Sequence, residues 1–446
     1  MKKLAIGAIL FVMGVSAAGP ACGALNEPPK GFKTLFNGKD LSGWKGLVED
    51  PKARAKMSRD ELAAKQAKAD EDMRAHWQVE DGALVFDGKG QSLCTDKDYG
   101  DFEMLVDWKI EEGGDSGIYL RGSPQVQIWD TARVSSGAEV GSGGLYNNQK
   151  NPSKPLQVAD KPVGEWNGNA FRIKMHGERV TVHLNDVLVV DNVVMENYWE
   201  RDKPIYPNGQ IELQSHGSKL YFRNIFVREI KNELTEQEKA EGFKLLFKGD
   251  KELAGWHGNK KGYVVRDGMI IVEPKLGGGN LYTAQEYGDF IMRFEFKLTP
   301  GANNGLGIRA PLSGDPAYVG MELQILDNTS PKYQSLQDYQ YHGSIYGVVP
   351  ADPSKRGCLK AGTPWDSDDW TCGGWNYEEV IAKGKKITVK LNGETIVDAD
   401  ISEENIAKDV LEKHPGLKNE KGYIAFCGHG DKLAFRNLRI KELESK

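Results

Sequence analysis

The sequence predicts an all-β protein: two tandem β-sandwich domains, with a short helical insertion in the first. Three observations carry this. Short segments alternate apolar and polar residues, the two-residue period of a half-buried strand. Turn residues separate those segments, and 52 of the 446 residues are glycine. The chain also repeats itself, because "QIELQSHGSKLYFRNIFVREI" from Gln210 returns as "YIAFCGHGDKLAFRNLRIKEL" from Tyr423.

The echo extends along the whole chain. "GFKTLFNGKDLSGWKG" from Gly31 pairs with "GFKLLFKGDKELAGWHG" from Gly242, and "YGDFEMLVDWKI" from Tyr99 with "YGDFIMRFEFKL" from Tyr287. "DSGIYLRG" from Asp115 pairs with "NNGLGIRA" from Asn303, and "QVQIWD" from Gln125 with "ELQILD" from Glu322. Trp166-Asn167 falls opposite Trp375-Asn376, and "VTVHLNDVLVVD" from Val180 opposite "ITVKLNGETIVD" from Ile387. A period of about two hundred residues is too long for a solenoid, so each copy is expected to be a domain. The expected division is 1–24 as an export signal, 28–230 as the first sandwich, 231–241 as a charged linker and 242–446 as the second.

Within each copy, Asn185-Asp186 and Asn392-Gly393 read as hairpin turns. The exception to the strand pattern runs from Pro51 to Trp77. It is rich in Ala, Lys and Glu, holds Ser58-x-x-Glu61 as a capping box, and reads as a helix. The second copy has no counterpart, which makes it a surface insertion.

Net charge is −6, which gives no basic footprint for nucleic acid. The amino terminus has two lysines, an apolar run from Leu4 to Val15 and small residues, the pattern of an export leader. That run is short for a membrane span, and no later segment could form one. Cys22 offers a lipid-attachment point, although Gly19-Pro20-Ala21 is a poor lipobox. No C-x-x-C or zinc spacing occurs. Cys358 and Cys372 flank one loop and stand either as a disulfide or as two thiols.

Strand parity separates a core face from an outer face. Ile211 and Leu213 take one face of their strand, while Gln210, Glu212, Gln214 and His216 take the other. Ile118 and Leu120 oppose Tyr119 and Arg121, and Val126 and Ile128 oppose Gln125, Gln127 and Trp129. In the second copy, Leu306, Ile308, Leu323 and Ile325 oppose Gly305, Gly307, Arg309, Glu322 and Gln324. Amides, arginines and nearby aromatics (Tyr146, Trp166, Tyr346 and Trp375) suit sugar hydroxyls and ring faces. The alternative is an ordinary solvated sheet face. His216 and His429, each before a glycine at a strand end, stand as structural residues, general bases or metal ligands.

Taken together, "GFKTLFNGKDLSGW", "DSGIYLRG", "VQIWD", "GGLYNN" and "LQSHG…FRN" resemble the 3-keto-disaccharide hydrolase family, once per copy. The resemblance implies a concanavalin-like, jelly-roll sandwich, export from a sugar-degrading bacterium to the periplasm, outer membrane or medium, and cleavage of glycosides oxidised at C3. Its Tyr-Glu-x-Gln strand keeps its acid as Glu322 in the second copy but has Gln125 in the first. Its Leu-Gln-x-His-Gly segment is kept in the first copy, through Leu213, Gln214 and His216, and altered before His429 in the second. The implied catalytic set is His216 or His429 as base, Arg121 or Arg309 for the oxyanion, and Glu322. Gln125, Gln127, Trp129, Tyr146, Trp166, Gln214, Gln324, Tyr346 and Trp375 are the implied sugar contacts. No cofactor is firmly implied, and a divalent metal stays open as the alternative charge stabiliser. The expected partner is a small carbohydrate. Two other readings share these features: a lectin-like binding protein and a two-carboxylate glycosidase. For the latter, Glu322 and Asp327 lie an odd five residues apart, hence on opposite faces.

Overall fold

In each copy the alternating strands assemble into two antiparallel sheets whose aliphatic faces meet. The computed structural model describes residues 24–362 and 374–444. The expected leader, Cys22 and Cys372 lie outside the described residues, and with Cys372 so does the choice between a disulfide and two thiols.

The larger sheet of the first half runs Val187–Val194, Arg179–Leu184, Asn167–His176, Phe102–Ile110, Leu220–Glu229, Ala83–Phe86 and Trp77–Glu80, with Lys33–Thr34 added on Leu220–Glu229. The smaller sheet runs Trp44–Gly46, Leu93–Tyr99, Gly209–Leu213, Asp115–Tyr119 and Gln125–Trp129. The second half repeats this order strand for strand. Its smaller sheet is His257–Gly258, Leu281–Tyr287, Gly422–Gly428, Asn303–Ala310 and Met321–Leu326. Neighbours distant in sequence are adjacent in space, as in jelly-roll sandwiches.

Parity holds in the centre of each half. Ile118, Val126, Ile128, Ile211 and Leu213 are buried in one core, and Leu306, Leu323, Ile325, Ile424 and Phe426 in the other. The expected hairpins form, with Asn185 and Asp186 both at positive φ (48° and 64°) and Asn392 at 49° before Gly393 at 91°.

The insertion folds as two helices, Pro51–Arg54 and Arg59–His76, with Ser58 capping the second by accepting from the Glu61 N–H (3.2 Å). The longer helix covers the edge strand Trp44–Gly46: Gln66 donates to the Gly46 carbonyl (2.8 Å), and Asp70 accepts from the Gly46 N–H (3.0 Å). An edge strand is thereby protected from pairing with another chain. The segment between the copies contains a helix, Glu236–Glu241, with a complete Thr235/Glu238 capping box. Its buried Glu238 receives Arg439 at 2.8 Å, which docks it on the second half.

Two repeated motifs are structural clasps. Arg121 and Arg309 both have positive φ (57° and 50°), so their side chains leave the strand alternation. Arg121 donates to the Gly100 carbonyl (2.8 Å) and pairs with Asp101 (2.6 Å). Arg309 makes the same contacts to the Gly288 carbonyl (3.1 Å) and Asp289 (3.0 Å). The repeated Tyr-Gly-Asp is thus the receptor of the repeated arginine. Asn224 and Asn437, also at positive φ (50° and 52°), sit at bulges within their strands.

Candidate functional site

The outer face of the smaller sheet is polar in both halves, but the two faces differ. In the second half Gly305 and Gly307 lie on the strand Asn303–Ala310, next to the edge strand Met321–Leu326. A β-carbon on Gly305 would fall 1.8 Å from Glu322 Oε1, so the Glu322 side chain lies directly across that glycine. It reaches the neighbouring strand end, where His429 Nε2 lies 3.0 Å from Oε1. Glu322 is 3% exposed, whereas the His429 ring is 41% exposed. A buried carboxylate therefore orients an accessible imidazole. Its hydrogen bond and charge raise the His429 pKa above the ordinary 6.5, against the opposing effect of burial.

Other groups complete this face. Gln324 donates to Asn303 Oδ1 (2.7 Å), the Tyr346 N–H donates to the Glu322 carbonyl (2.8 Å), and Tyr346 meets Tyr339 edge to face. Asp431, two residues after His429, accepts from the Asn303 N–H (3.0 Å) and pairs with Lys332 (3.4 Å). A short helix, Pro316–Val319, packs its proline against Gly307. Burial holds the Cys427 thiol on this face well above its usual range.

In the first half, Gln125 takes the place of Glu322 and lies across Gly117. It donates to Gln127 (2.9 Å), which donates to Asp115 (2.8 Å). His216 is 54% exposed and stands 3.8 Å from Asp115, which already pairs with Arg133 at 2.5 Å. Gln214 and Tyr146 flank this face through their backbone N–H groups, which donate to the Gly117 and Gln125 carbonyls. Trp129 donates its indole N–H to the Gly141 carbonyl (2.8 Å).

The first half has its acid on a different strand. Glu212 stands between Cys94 and Tyr119 in strand register. The equivalent position in the second half is Ala425, which pairs with Gly307. Glu212 is 7% exposed. Burial pushes its carboxyl up to about 7, with Arg54 and Ser92 opposing. The folded chain thus holds this proton more tightly than the unfolded one, and stability falls as pH rises from the ordinary carboxyl value of 4.5 through about 7. Glu212→Gln is expected to stabilise the protein at pH 8 by up to about 3 kcal/mol, with little effect at pH 4. Urea unfolding at the two pH values measures this difference.

Five residues named from the sequence lie elsewhere. Arg121 and Arg309 form the buried clasps, because the positive-φ step redirects their side chains. Trp166 and Trp375 lie on the larger sheet, under the guanidinium groups of Arg223 and Arg436, each 4.0 Å from the ring centroid. They follow a loop into the strand beside Phe102–Ile110 or Phe290–Leu298, not into the smaller sheet. Asp327 caps a turn, accepting from the Gly301 N–H at 2.8 Å. Among the described residues, no group of three or more His, Cys, Asp or Glu side chains converges to hold a metal ion, and no helix is long and apolar enough to cross a membrane.

The duplicated pattern matches one known domain twice: the profile of the 3-keto-alpha-glucoside-1,2-lyase-like domain fits residues 31–228 and again 242–441. The chain belongs to that family. A 3-keto-disaccharide hydrolase of Bacteroides thetaiotaomicron is 25% identical over 255 residues, covering 44% of this chain and 78% of that protein. A crystal structure of a candidate glycosyl hydrolase from Parabacteroides distasonis is 25% identical, with a TM-score of 0.38, over 48% of this chain and all of that one. A second structure of that description from the same organism is 26% identical, with a TM-score of 0.36, over 45% of this chain and 99% of the other. One family domain thus corresponds to about half of this chain. The comparison of the two halves with each other is therefore what distinguishes their faces.

Proposed function

We propose that this family member is an exported carbohydrate-active enzyme that cleaves 3-keto-glycosides, and that its second half performs the reaction. The observation that carries the reading is the Glu322–His429 contact of 3.0 Å over a glycine floor. Glu322 fixes the imidazole through Nε2, leaving Nδ1 as the free base. The name of the Bacteroides relative supports the substrate class, and the leader-like amino terminus supports export.

A ketone at C3 acidifies the C2–H bond. His429 removes the C2 proton, and the electron pair moves toward the C3 oxygen. Collapse of that enolate re-forms the C3 ketone, makes the C1–C2 double bond and breaks the bond from C1 to the leaving oxygen, which takes the proton held on His429. Addition of water then places hydroxyl on C1 and a proton on C2, giving net hydrolysis. Only one base is needed, unlike the opposed carboxylates of direct glycoside hydrolysis. Lys332, brought to this edge by Asp431, is the cation proposed to stabilise the enolate. Gln324, Asn303 and Tyr346 are the proposed sugar contacts.

The base must be neutral to act. Because Glu322 raises the His429 pKa, the acid limb of kcat/KM is expected above pH 6.5, with activity rising as pH passes through it. In Glu322→Gln that limb is expected to move to lower pH, with a reduced plateau because the imidazole is then a weaker base. A pH profile with a 3-keto-glucoside bearing a chromogenic aglycone tests this. An unmoved acid limb would remove His429 as the titrating base.

A further inference from the structure

A cleft of about 540 Å³ opens between the two sheets of the first half. Its walls are the strands Lys33–Thr34 and Leu220–Glu229 of the larger sheet and Leu93–Tyr99 of the smaller. The reaction proposed for the second half uses none of it. The volume falls within the roughly 300–1,000 Å³ of small-molecule sites. Lys33 is in register with Val227, a core residue, so the two side chains share the face that looks between the sheets. Deeper in, Lys97 and Glu229 form an ion pair whose side chains are only 7% and 9% exposed. The Lys97 amine lies 4.7 Å from the centroid of the Tyr99 ring.

Charge in this cleft is not balanced. Lys33, Lys97, Arg228 and Lys231 line it, against Asp96 and Glu229. Both Glu229 oxygens are engaged, Oε1 by Lys97 and Oε2 by Arg436 of the second half at 2.6 Å. Arg228 turns to Glu103. Among the described residues, Lys33 and Lys231 form no ion pair. Lys33 is exposed and Lys231 half-buried. Burial lowers the Lys231 pKa, Glu229 opposes this, and Arg436 and Lys33 lower it further by repulsion. Two amines that repel each other across an open cleft are stabilised by an anion that meets both. The second half supplies the contrast. Its equivalent cleft is about 220 Å³. Lys244 keeps the place of Lys33, but Ala284 and Gln285 stand for Asp96 and Lys97, and Glu444 stands for Lys231. The strands are otherwise the same, so the excess of amines is not a requirement of the fold.

We propose that this cleft binds a sugar carrying an oxyanion, a carboxylate, sulfate or phosphate group, with Lys33 and Lys231 holding the charge. The space is larger than a bare oxyanion fills, and Thr34 and Ser42 line it with hydroxyl groups suited to the rest of a sugar. A neutral sugar leaves the two amines repelling each other, and a cation adds to the repulsion. Glu229 does not compete for the site, because Lys97 and Arg436 already neutralise it. Asp96 lies on the exposed rim, where water and salt screen it. The site is distinct from the Glu322–His429 contact and does not rest on the reaction proposed there.

The test titrates the full chain calorimetrically at pH 7 with glucuronate, glucose 6-phosphate, glucose 6-sulfate and glucose, and with inorganic phosphate and sulfate as bare-ion probes. At least one acidic sugar is expected to bind, and the tightest of the three tells which oxyanion the cleft prefers. Glucose is expected to bind about tenfold or more weakly, the loss of a charge-assisted contact. The combined Lys33→Gln and Lys231→Gln variant is expected to weaken the acidic sugar by about tenfold or more on the same ground, with a melting curve that shows a folded protein. Lys33→Gln alone, at an exposed position, is expected to weaken it in the same direction. Lys244→Gln, the equivalent change in the second half, is expected to leave the affinity as it was. Raising the ionic strength from about 0.01 M to about 0.15 M is expected to weaken binding severalfold. The proposal is overturned if no acidic sugar binds, or if glucose or a bare ion binds as tightly as the best of them. Affinity indifferent to the two lysine changes, or lost equally in Lys244→Gln, would overturn the placement in the first-half cleft.

Discussion

His429→Ala is expected to lower the rate of aglycone release from a 3-keto-glucoside by about 10²–10⁴-fold, the usual contribution of a positioned base. His216→Ala is expected to leave the rate nearly unchanged. Both histidines precede a glycine at the same strand end, so sequence position does not separate them. Their surroundings do. His429 is bonded to a buried carboxylate that orients the ring and raises its basicity. His216 is more exposed and stands 3.8 Å from an aspartate that Arg133 already engages. Steady-state kinetics of both variants, each checked by its melting curve, separate the two assignments. Equal losses would mean that both halves react, and loss in His216→Ala alone would reverse the proposal.

The second large effect concerns stability. Arg436→Ala is expected to destabilise the protein by about 3–5 kcal/mol, the cost of leaving buried charges unpaired. Arg436 pairs with Glu295 (2.7 Å) in its own half and with Glu229 (2.6 Å) from the first. Lys97 also meets Glu229. Burial pushes the Glu229 carboxyl up, but Arg436 and Lys97 override it and hold it below its usual range. A carboxyl held down stabilises at neutral pH, and the contribution is lost as pH falls through its folded value. The counterpart Arg223 has its side chain 29% exposed and pairs with Asp107 at a longer 3.4 Å. Arg223→Ala is expected to cost about 1 kcal/mol or less. Chemical unfolding measures both. The same Trp-Arg-acid cluster thus serves the larger sheet in each half and, in the second, also anchors the junction.

Much of the fold was legible because alternation is a local property. Ile211 and Leu213 had to share a face, and the repeat supplied the order of strands twice. The outer-face placement of Gln125, Gln127, Glu322 and Gln324 followed from the same reasoning. It failed at Arg121 and Arg309, where one residue at positive φ breaks the alternation. The signal was present in the repeated Tyr-Gly-Asp, whose aspartate has no apolar role and turns out to receive the arginine. Trp166 and Trp375 were misplaced because a loop precedes them, and parity does not say which sheet a new strand joins. Glu212 was placed on the correct face but not singled out. Its raised pKa comes from burial by elements distant in sequence, which alternation does not show.

The most direct test of the proposed reaction follows hydrogen at C2. The wild-type protein is incubated with a 3-keto-glucoside in deuterated buffer, and the released sugar is examined by NMR against an enzyme-free control. Proton abstraction followed by elimination and hydration predicts deuterium at C2 of every molecule released, with release lost in His429→Ala. Released sugar that retains protium at C2 would show that the glycosidic bond broke without C2 deprotonation, and would contradict the role assigned to His429 and Glu322.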